Sequence, residues 1–123
     1  MCRILVIDDD SLQRTTLRVC LEKLGHEIRA AESGVKALKI MNEDAFVPAL
    51  VITDMVMPDM DGLEVIQYFH AHHPDIPLVA ISGEVPDSYL QLAKRLGARV
   101  AMAKPIRLDK LQEILEEILG TSA

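Results

Sequence analysis

Leu50-Val51-Ile52-Thr53-Asp54-Met55-Val56-Met57-Pro58 is the stretch that decides the fold. An uninterrupted apolar run of this kind is typical of a strand that is buried on both faces of a parallel sheet. A second run, Arg3-Ile4-Leu5-Val6-Ile7, also ends in carboxylates, at Asp8-Asp9-Asp10. Carboxylates gathered at one point repel each other, so the two strand ends predict a site for a hard divalent cation such as Mg2+. A carboxylate beside such an ion can act as a nucleophile toward phosphorus.

Strand-like and helix-like patterns alternate along the rest of the chain. The predicted strands cover residues 3–8, 27–31, 50–54, 78–81 and 99–103. The predicted helices cover residues 11–24 and 34–43, the segments that follow Asp61-Gly62 and Pro86-Asp87, and a last segment that begins at Leu108. Their apolar stripes include Leu24, Val35 and Leu108. Five strands alternating with five helices through short loops predict an α/β fold with a doubly wound five-stranded parallel sheet.

The composition limits the classes of partner. The chain has 123 residues, of which half are hydrophobic and 3% aromatic, and this predicts one domain over residues 1–123 with an aliphatic core. The net charge is −6 and no cluster of four or more Lys and Arg occurs, so we expect neither direct nucleic-acid binding nor a membrane partner. No apolar run reaches about 18 residues, the length of a membrane span. Cys2 and Cys20 are expected to be reduced thiols, and the cytoplasm is the expected compartment.

Polar side chains follow four of the five predicted strands: Asp8-Asp9, Asp54, Ser82-Gly83 and Lys104-Pro105. In a parallel sheet these strand ends meet at one edge, where ligands bind. In this order and at these spacings, the residues resemble those of the receiver domain of two-component response regulators, along nearly the whole chain. The resemblance implies a flavodoxin-like receiver fold with strand order 2-1-3-4-5.

The resemblance also implies which residues form the acceptor and metal site. Asp54 would be the phosphoacceptor, whose carboxylate attacks a phosphohistidine and becomes an acyl phosphate. Asp9, Asp54 and the backbone carbonyl of Val56 would bind Mg2+ directly, and Asp8 would reach the ion through water.

Three further residues would bind the phosphoryl group. The Lys104 ammonium would pair with the acceptor carboxylate and then with the phosphoryl oxygens. The Ser82 hydroxyl and the loop amide at Gly83 would donate hydrogen bonds to the group. The peptide bond before Pro105 would be cis.

The resemblance implies partners on both sides of the reaction. The donor would be a sensor histidine kinase or a histidine phosphotransfer protein, and the output would be a downstream effector protein or a fused output domain. The domain would regulate rather than act as an enzyme. The chain ends soon after the last predicted helix, which leaves open a stand-alone receiver or one domain of a larger protein; the strand that starts at Arg3 favours a natural N-terminus at Met1.

Two alternatives remain open at this point. A phosphatase similar to haloacid dehalogenases would also use an aspartyl phosphate, and Asp8 and Asp10 have the spacing of its Asp-x-Asp motif, but the cap domain and extra length are missing. A receiver-like interaction domain that is never phosphorylated is the other alternative.

The sequence departs from the receiver pattern at three positions, of which Ile106, after Lys-Pro where Phe is common, only reflects an aliphatic core. Ala101 stands on the fifth strand where the family usually has Tyr or Phe, so we expect the usual movement of an aromatic ring on phosphorylation to be absent. Val56 is apolar where some members have a polar side chain, and this predicts slow hydrolysis of the phosphorylated acceptor.

Other polar residues have structural interpretations. Asp10 and Asp61 precede predicted helices and are expected to cap them. His70, His72 and His73 suit the C-terminal end of the third helix; the spacing of His70 and His73 also leaves an adventitious metal site open.

Overall fold

Five parallel strands form one sheet in the order β2-β1-β3-β4-β5, as the family resemblance implied. The computed structural model describes residues 2–55, 57, 61–83 and 86–120. The strands are β1 (Arg3–Ile7), β2 (Glu27–Ala31), β3 (Leu50–Asp54), β4 (Leu78–Ser82) and β5 (Val100–Ala103). The helices are α1 (Ser11–Lys23), α2 (Gly34–Glu43), α3 (Gly62–His72), α4 (Asp87–Leu96) and α5 (Leu108–Leu119). None of the described helices is both long and apolar enough to cross a lipid bilayer.

Helices cover both faces of the sheet and bury two apolar clusters. One cluster lies under α2, α3 and α4 and includes Ile66 and Phe69. The other lies under α1 and α5 and includes Leu17, Leu21 and Leu111. Every residue of β3 and β4 is buried, which explains why these strands are apolar without alternation. The doubly wound fold class is therefore confirmed.

The helix faces were predicted less well than the strands. In α2 the buried residues are Gly34 and Ala37, whereas Val35 is exposed. Small residues carry little weight in an apolar stripe, yet Ala37 is completely buried in the core cluster under this helix. Leu24 and Leu108 were also placed on apolar stripes and are exposed, because they lie at the outer ends of α1 and α5.

Two acidic residues cap helices as expected. The Asp10 carboxylate accepts hydrogen bonds from the backbone N–H groups of Leu12 and Gln13 at the start of α1. The Asp61 carboxylate accepts one from Glu64 at the start of α3. Both helices begin in loops at the carboxyl edge of the sheet, so these caps fix the entry of the chain into the helices that flank the site.

Candidate functional site

The carboxyl ends of β1 and β3 lie side by side. The parallel register pairs Ile7 with Thr53 and Asp54 with Ile81. Asp8 follows β1 directly, and Asp54 is the last residue of β3. The sheet therefore brings the loop after β1 next to the end of β3, as the sequence predicted.

Asp8, Asp9 and Asp54 form an acidic cluster. One carboxylate oxygen from each residue lies within 4.8 Å of the others. Asp8 and Asp54 are only 3% and 7% exposed, whereas Asp9 is exposed. Carboxylates at this separation repel each other, and a donor set made only of oxygens suits a hard divalent cation. The cluster therefore fits Mg2+; the carbonyl of Val56, the further predicted ligand, lies outside the described residues.

Lys104 brings a positive charge to this cluster. Its Nζ atom lies 3.5 Å from Asp8 Oδ2 and 3.5 Å from Asp54 Oδ2. When the ammonium and the three carboxylates are all ionised, their charges sum to −2, which is the charge that a divalent cation neutralises. The peptide bond between Lys104 and Pro105 is cis, as the family resemblance implied.

Burial raises the pKa of the Asp8 carboxyl above its ordinary value. The carboxylates of Asp54 and Asp9 add to the increase, whereas the backbone N–H of Asp10 and the Lys104 ammonium lower this pKa. The Asp10 N–H donates to Asp8 Oδ1 at 2.9 Å. The pocket therefore holds a carboxyl group that costs free energy to ionise in the absence of a cation.

Arg14 makes a contact with this loop that the sequence analysis missed. Its Nη1 donates to the backbone carbonyl of Asp8 at 2.7 Å, and the Asp8 N–H donates to the Ala31 carbonyl at 3.0 Å. The first hydrogen bond ties the loop after β1 to α1, and the second ties it to the end of β2. The spacing contained the signal: Arg14 lies one turn after the cap residue Asp10, and helical side chains lean toward the N-terminus of their helix.

Ser82 ends β4 at the same edge of the sheet. It is completely buried, and its Oγ has no hydrogen-bond partner among the described residues. The Lys104 N–H donates to the Ser82 carbonyl at 2.6 Å. The Ser82 hydroxyl and the Lys104 ammonium therefore extend from the ends of two neighbouring strands, β4 and β5, at the same edge of the sheet. Gly83 is exposed, and a Cβ on it would meet nothing closer than Lys104 Cδ at 3.9 Å. A buried hydroxyl without a partner costs about 1–3 kcal/mol, which a hydrogen bond to a bound ligand would recover.

The sequence context of Gly62 predicted a turn, and the structure shows that this residue also contacts the backbone at the end of β3. Its N–H donates to the Met55 carbonyl at 2.8 Å. A Cβ at this position would lie 2.4 Å from Met55 Cα and 2.6 Å from the Asp54 carbonyl oxygen. Only glycine therefore allows α3 to begin this close to the end of β3.

Ala101 lies on β5, paired with Ala80 of β4, and is partly buried. The sequence of β5 contains no aromatic residue. Tyr89 of α4 packs against the same core cluster as Ala101, and burial, followed by the Asp61 carboxylate, raises the pKa of its phenol. The structure thus places a tyrosine ring from α4, rather than from β5, in this part of the core.

The histidines at the end of α3 pack against other rings and backbone. The Tyr68 and His72 ring centroids lie 4.4 Å apart, and His70 Nδ1 would lie 3.0 Å from a Cβ on Gly97. Within the part of the chain that the structure describes, the acidic cluster is the one group of three or more His, Cys, Asp or Glu suited to a metal ion. The three histidines are not part of that group, and an adventitious site made by His70 and His73 alone stays a prediction.

Known proteins match this chain along nearly its whole length. The family described as response regulator receiver domain matches residues 4–116. The chemotaxis protein CheY homolog of Campylobacter jejuni is 33% identical, over 98% of this chain and 95% of its own. Sensor kinase CckA of Brucella abortus is 34% identical over 94% of this chain but only 12% of its own length. The crystal structure of the receiver domain of NtrX from Brucella abortus has a TM-score of 0.87 and 35% identity, covering 97% of this chain and 99% of that one. The chain therefore belongs to the response regulator receiver domain family of two-component signalling proteins.

Proposed function

We propose that Asp54 accepts a phosphoryl group from a phosphohistidine and that its phosphorylation switches the binding of this domain to a partner protein. The observation that carries the proposal is the position of the Lys104 ammonium, 3.5 Å from both Asp54 and Asp8, beside a third carboxylate of the acidic cluster. This arrangement combines a nucleophile with charges that can neutralise a phosphoryl group.

In the transfer, a carboxylate oxygen of Asp54 attacks phosphorus. The new P–O bond forms as the P–N bond to the donor imidazole breaks, and the bonding electron pair leaves with the nitrogen. A donor ring that is protonated on its other nitrogen leaves as neutral imidazole. Phosphoryl transfer depends mainly on positioning and on neutralising the charge of the equatorial oxygens, so the surrounding groups decide its rate.

The surrounding side chains supply those charges and hydrogen bonds. Lys104 would move from its carboxylate partners to the phosphoryl oxygens. The Ser82 hydroxyl, which is buried and has no partner among the residues that the structure describes, would donate to the same group together with the Gly83 amide. Asp8, Asp9 and Asp54 would hold Mg2+, which supplies positive charge to the phosphoryl oxygens when it is bound.

The test is phosphorylation by phosphoramidate, a small donor with a P–N bond, in the presence of Mg2+. Intact-mass spectrometry should show a gain of about 80 Da, one phosphoryl group, that is lost on adding EDTA and in Asp54→Asn. Asp75→Asn is the matched control, because Asp75 is exposed and precedes β4 at the opposite edge of the sheet. No phosphorylation of the wild type would favour the alternative of an interaction domain that is never phosphorylated, whereas phosphorylation of Asp54→Asn would show that another residue is the acceptor. Steady turnover of a small phosphomonoester would revive the phosphatase alternative, which family membership otherwise disfavours.

The same proposal covers the compartment and the partners of the domain. We propose that residues 1–123 form a single receiver domain in the cytoplasm that regulates rather than catalyses, without direct contact with nucleic acid or membrane. The donor is a sensor histidine kinase or a histidine phosphotransfer protein, and the output is an effector protein or a fused output domain. This chain matches only 12% of the length of CckA, which illustrates that a receiver can be one part of a longer protein.

Signal output in this domain does not use an aromatic side chain on β5, because Ala101 has no ring to move. Comparison of backbone NMR shifts between free and phosphorylated protein tests which face responds. Changes confined to the acceptor loops, with α4 and β5 unaffected, would indicate output through the loops alone. Slow hydrolysis is the second expectation: Val56→Asn should shorten the lifetime of the phosphorylated state, and an unchanged lifetime would contradict this assignment.

A further inference from the structure

The outer side of α1 and α5 carries exposed apolar residues. Seven large apolar side chains are exposed in the part of the chain that the structure describes. Four of them lie on or directly after these two helices: Leu12, Val19, Leu24 and Leu108. Single exposed apolar side chains are ordinary, but several on adjacent helices mark an interaction surface.

A groove of about 320 Å³ lies between the two helices. Its lining is mainly apolar and consists of Cys20, Leu21, Lys23 and Leu24 from α1 and its C-terminal end, and Leu108, Leu111 and Gln112 from α5. Lys23 connects this groove to the outer side of α1, since Leu12, Thr16, Val19 and Lys23 follow one another at helical spacing on one stripe. Groove and stripe form one continuous surface, called here the α1–α5 face.

The two helices that form this face have opposite charges. Of the basic residues of α1, Arg14 bonds the Asp8 carbonyl and Arg18 pairs with Glu22, so Lys23 is the one that lines the groove, whereas α5 carries one basic and four acidic residues, a net charge of −3. In a two-fold arrangement, α1 of each copy can lie on α5 of the other, so that the same attraction occurs twice. A face that combines an apolar groove with both signs of charge is therefore complementary to itself.

We propose that the α1–α5 face binds a second copy of this chain and forms a two-fold homodimer. Helices of 13 and 12 residues are about 20 Å long and pack about 10 Å apart, which gives a face of roughly 400 Å². This area is about half of the roughly 800 Å² that each partner buries in a standard interface. The dimer is therefore weak, with a Kd on the order of 100 µM.

Sedimentation velocity of the whole chain in the presence of a reductant tests this proposal between about 10 µM and about 1 mM, a range that spans the expected Kd. The weight-average mass should rise from 13.6 kDa toward twice that value. Leu24→Glu and Leu108→Glu should remain monomeric, whereas Leu92→Glu, at an exposed position on α4, should dimerise like the wild type. A mass of one chain at every concentration overturns the proposal and assigns the face to a different protein; equal loss of association in Leu92→Glu overturns the choice of face.

Charge exchange provides a test that does not depend on apolar substitutions. Lys23 lines the groove, and Glu116 lies on the same stripe of α5 as Leu108 and Gln112, at helical spacing. Lys23→Glu and Glu116→Lys should each weaken association about tenfold, equivalent to about 1.4 kcal/mol, and the double variant should regain the wild-type Kd. Failure of the double variant to recover, with circular dichroism showing all three variants folded, would contradict the two-fold contact of α1 with α5.

Discussion

Replacing Asp8 with asparagine should stabilise the domain in the absence of metal. Repulsion from Asp54, whose carboxylate oxygen lies within 4.8 Å, amounts to about 3.5 kcal/mol at an effective dielectric constant of about 20. Attraction to the Lys104 ammonium at 3.5 Å amounts to about 4.7 kcal/mol under the same assumption. Because these two energies nearly cancel, the loss of hydration decides whether the ionised Asp8 carboxylate stabilises or destabilises the metal-free domain. Burial is the largest cause of the raised pKa of Asp8, so the carboxylate destabilises it.

Asparagine removes this charge and keeps an oxygen that can accept the Asp10 N–H. We expect the free energy of unfolding of Asp8→Asn at pH 7 to exceed that of the wild type by about 1–2 kcal/mol, a rise in Tm of about 3–8 °C. Urea unfolding in EDTA measures the difference, with Asp75→Asn as the control. Added Mg2+ should stabilise the wild type more than the variant, because ligand binding to the native state adds to its stability. A variant less stable than the wild type in EDTA would refute this reasoning.

The difference in free energy of unfolding between Asp8→Asn and the wild type should depend on pH, and its direction follows from the raised pKa of Asp8. Below the ordinary value of 3.8 the carboxyl is protonated in both states, and its burial carries no charge penalty. As pH rises from 3.8 through the raised pKa of the native state, the native protein loses a proton that the unfolded chain has already released, so stability is lost. The advantage of Asp8→Asn over the wild type in EDTA should therefore grow across this interval and then level off. An advantage that is constant with pH would show that Asp8 ionisation is not its cause.

Four further substitutions test separate parts of the site. Gly62→Ala should lower the free energy of unfolding by about 2–4 kcal/mol because its Cβ overlaps backbone atoms. Gly83→Ala should change the free energy of unfolding by less than about 0.5 kcal/mol, because its Cβ would make only an ordinary contact with Lys104 Cδ at 3.9 Å. Urea unfolding measures both. Asp10→Ala should cost about 1 kcal/mol through loss of the α1 cap, and an unchanged midpoint in the same assay would contradict this assignment. Lys104→Met should slow phosphoramidate labelling at least tenfold, equivalent to about 1.4 kcal/mol of barrier, while a labelling rate equal to that of the wild type would remove Lys104 from the proposed mechanism.

Much of the architecture could be predicted because strand ends in a parallel sheet share one edge. Asp8, Asp54 and Lys104 are remote in sequence, yet each follows an apolar run, and the parallel register converts that shared position into contacts of a few ångströms. What sequence does not contain is the set of distances between loops. The close approach of Gly62 to the backbone after Asp54 depends on how α3 meets β3, and no local pattern reports it.

Helix faces were harder to predict than strands for a physical reason. A helix turns about 100° per residue, so one large exposed side chain, such as Val35 or Leu24, can shift the apparent apolar stripe away from the buried face. Small residues such as Ala37, which allow close packing, contribute little to the pattern. The errors are informative in the case of Leu24 and Leu108: side chains that look like core residues in the sequence but are exposed in the structure are the ones that mark the α1–α5 face.

The pocket around Asp54 contains polar groups whose charge or hydrogen-bonding capacity is not balanced by the described residues of the folded chain. Asp8 is buried with a raised pKa, and the Ser82 hydroxyl is buried with no hydrogen-bond partner among the described residues. Each arrangement lowers the stability of the metal-free domain, and a core made of apolar groups at these positions would be more stable. A divalent cation would neutralise the carboxylates, and phosphoryl oxygens would accept a hydrogen bond from the serine. The groups that cost stability before binding are therefore the ones that would gain most from Mg2+ and phosphorylation, and this is the physical basis on which the proposed phosphorylation of Asp54 would shift the conformational equilibrium of the domain.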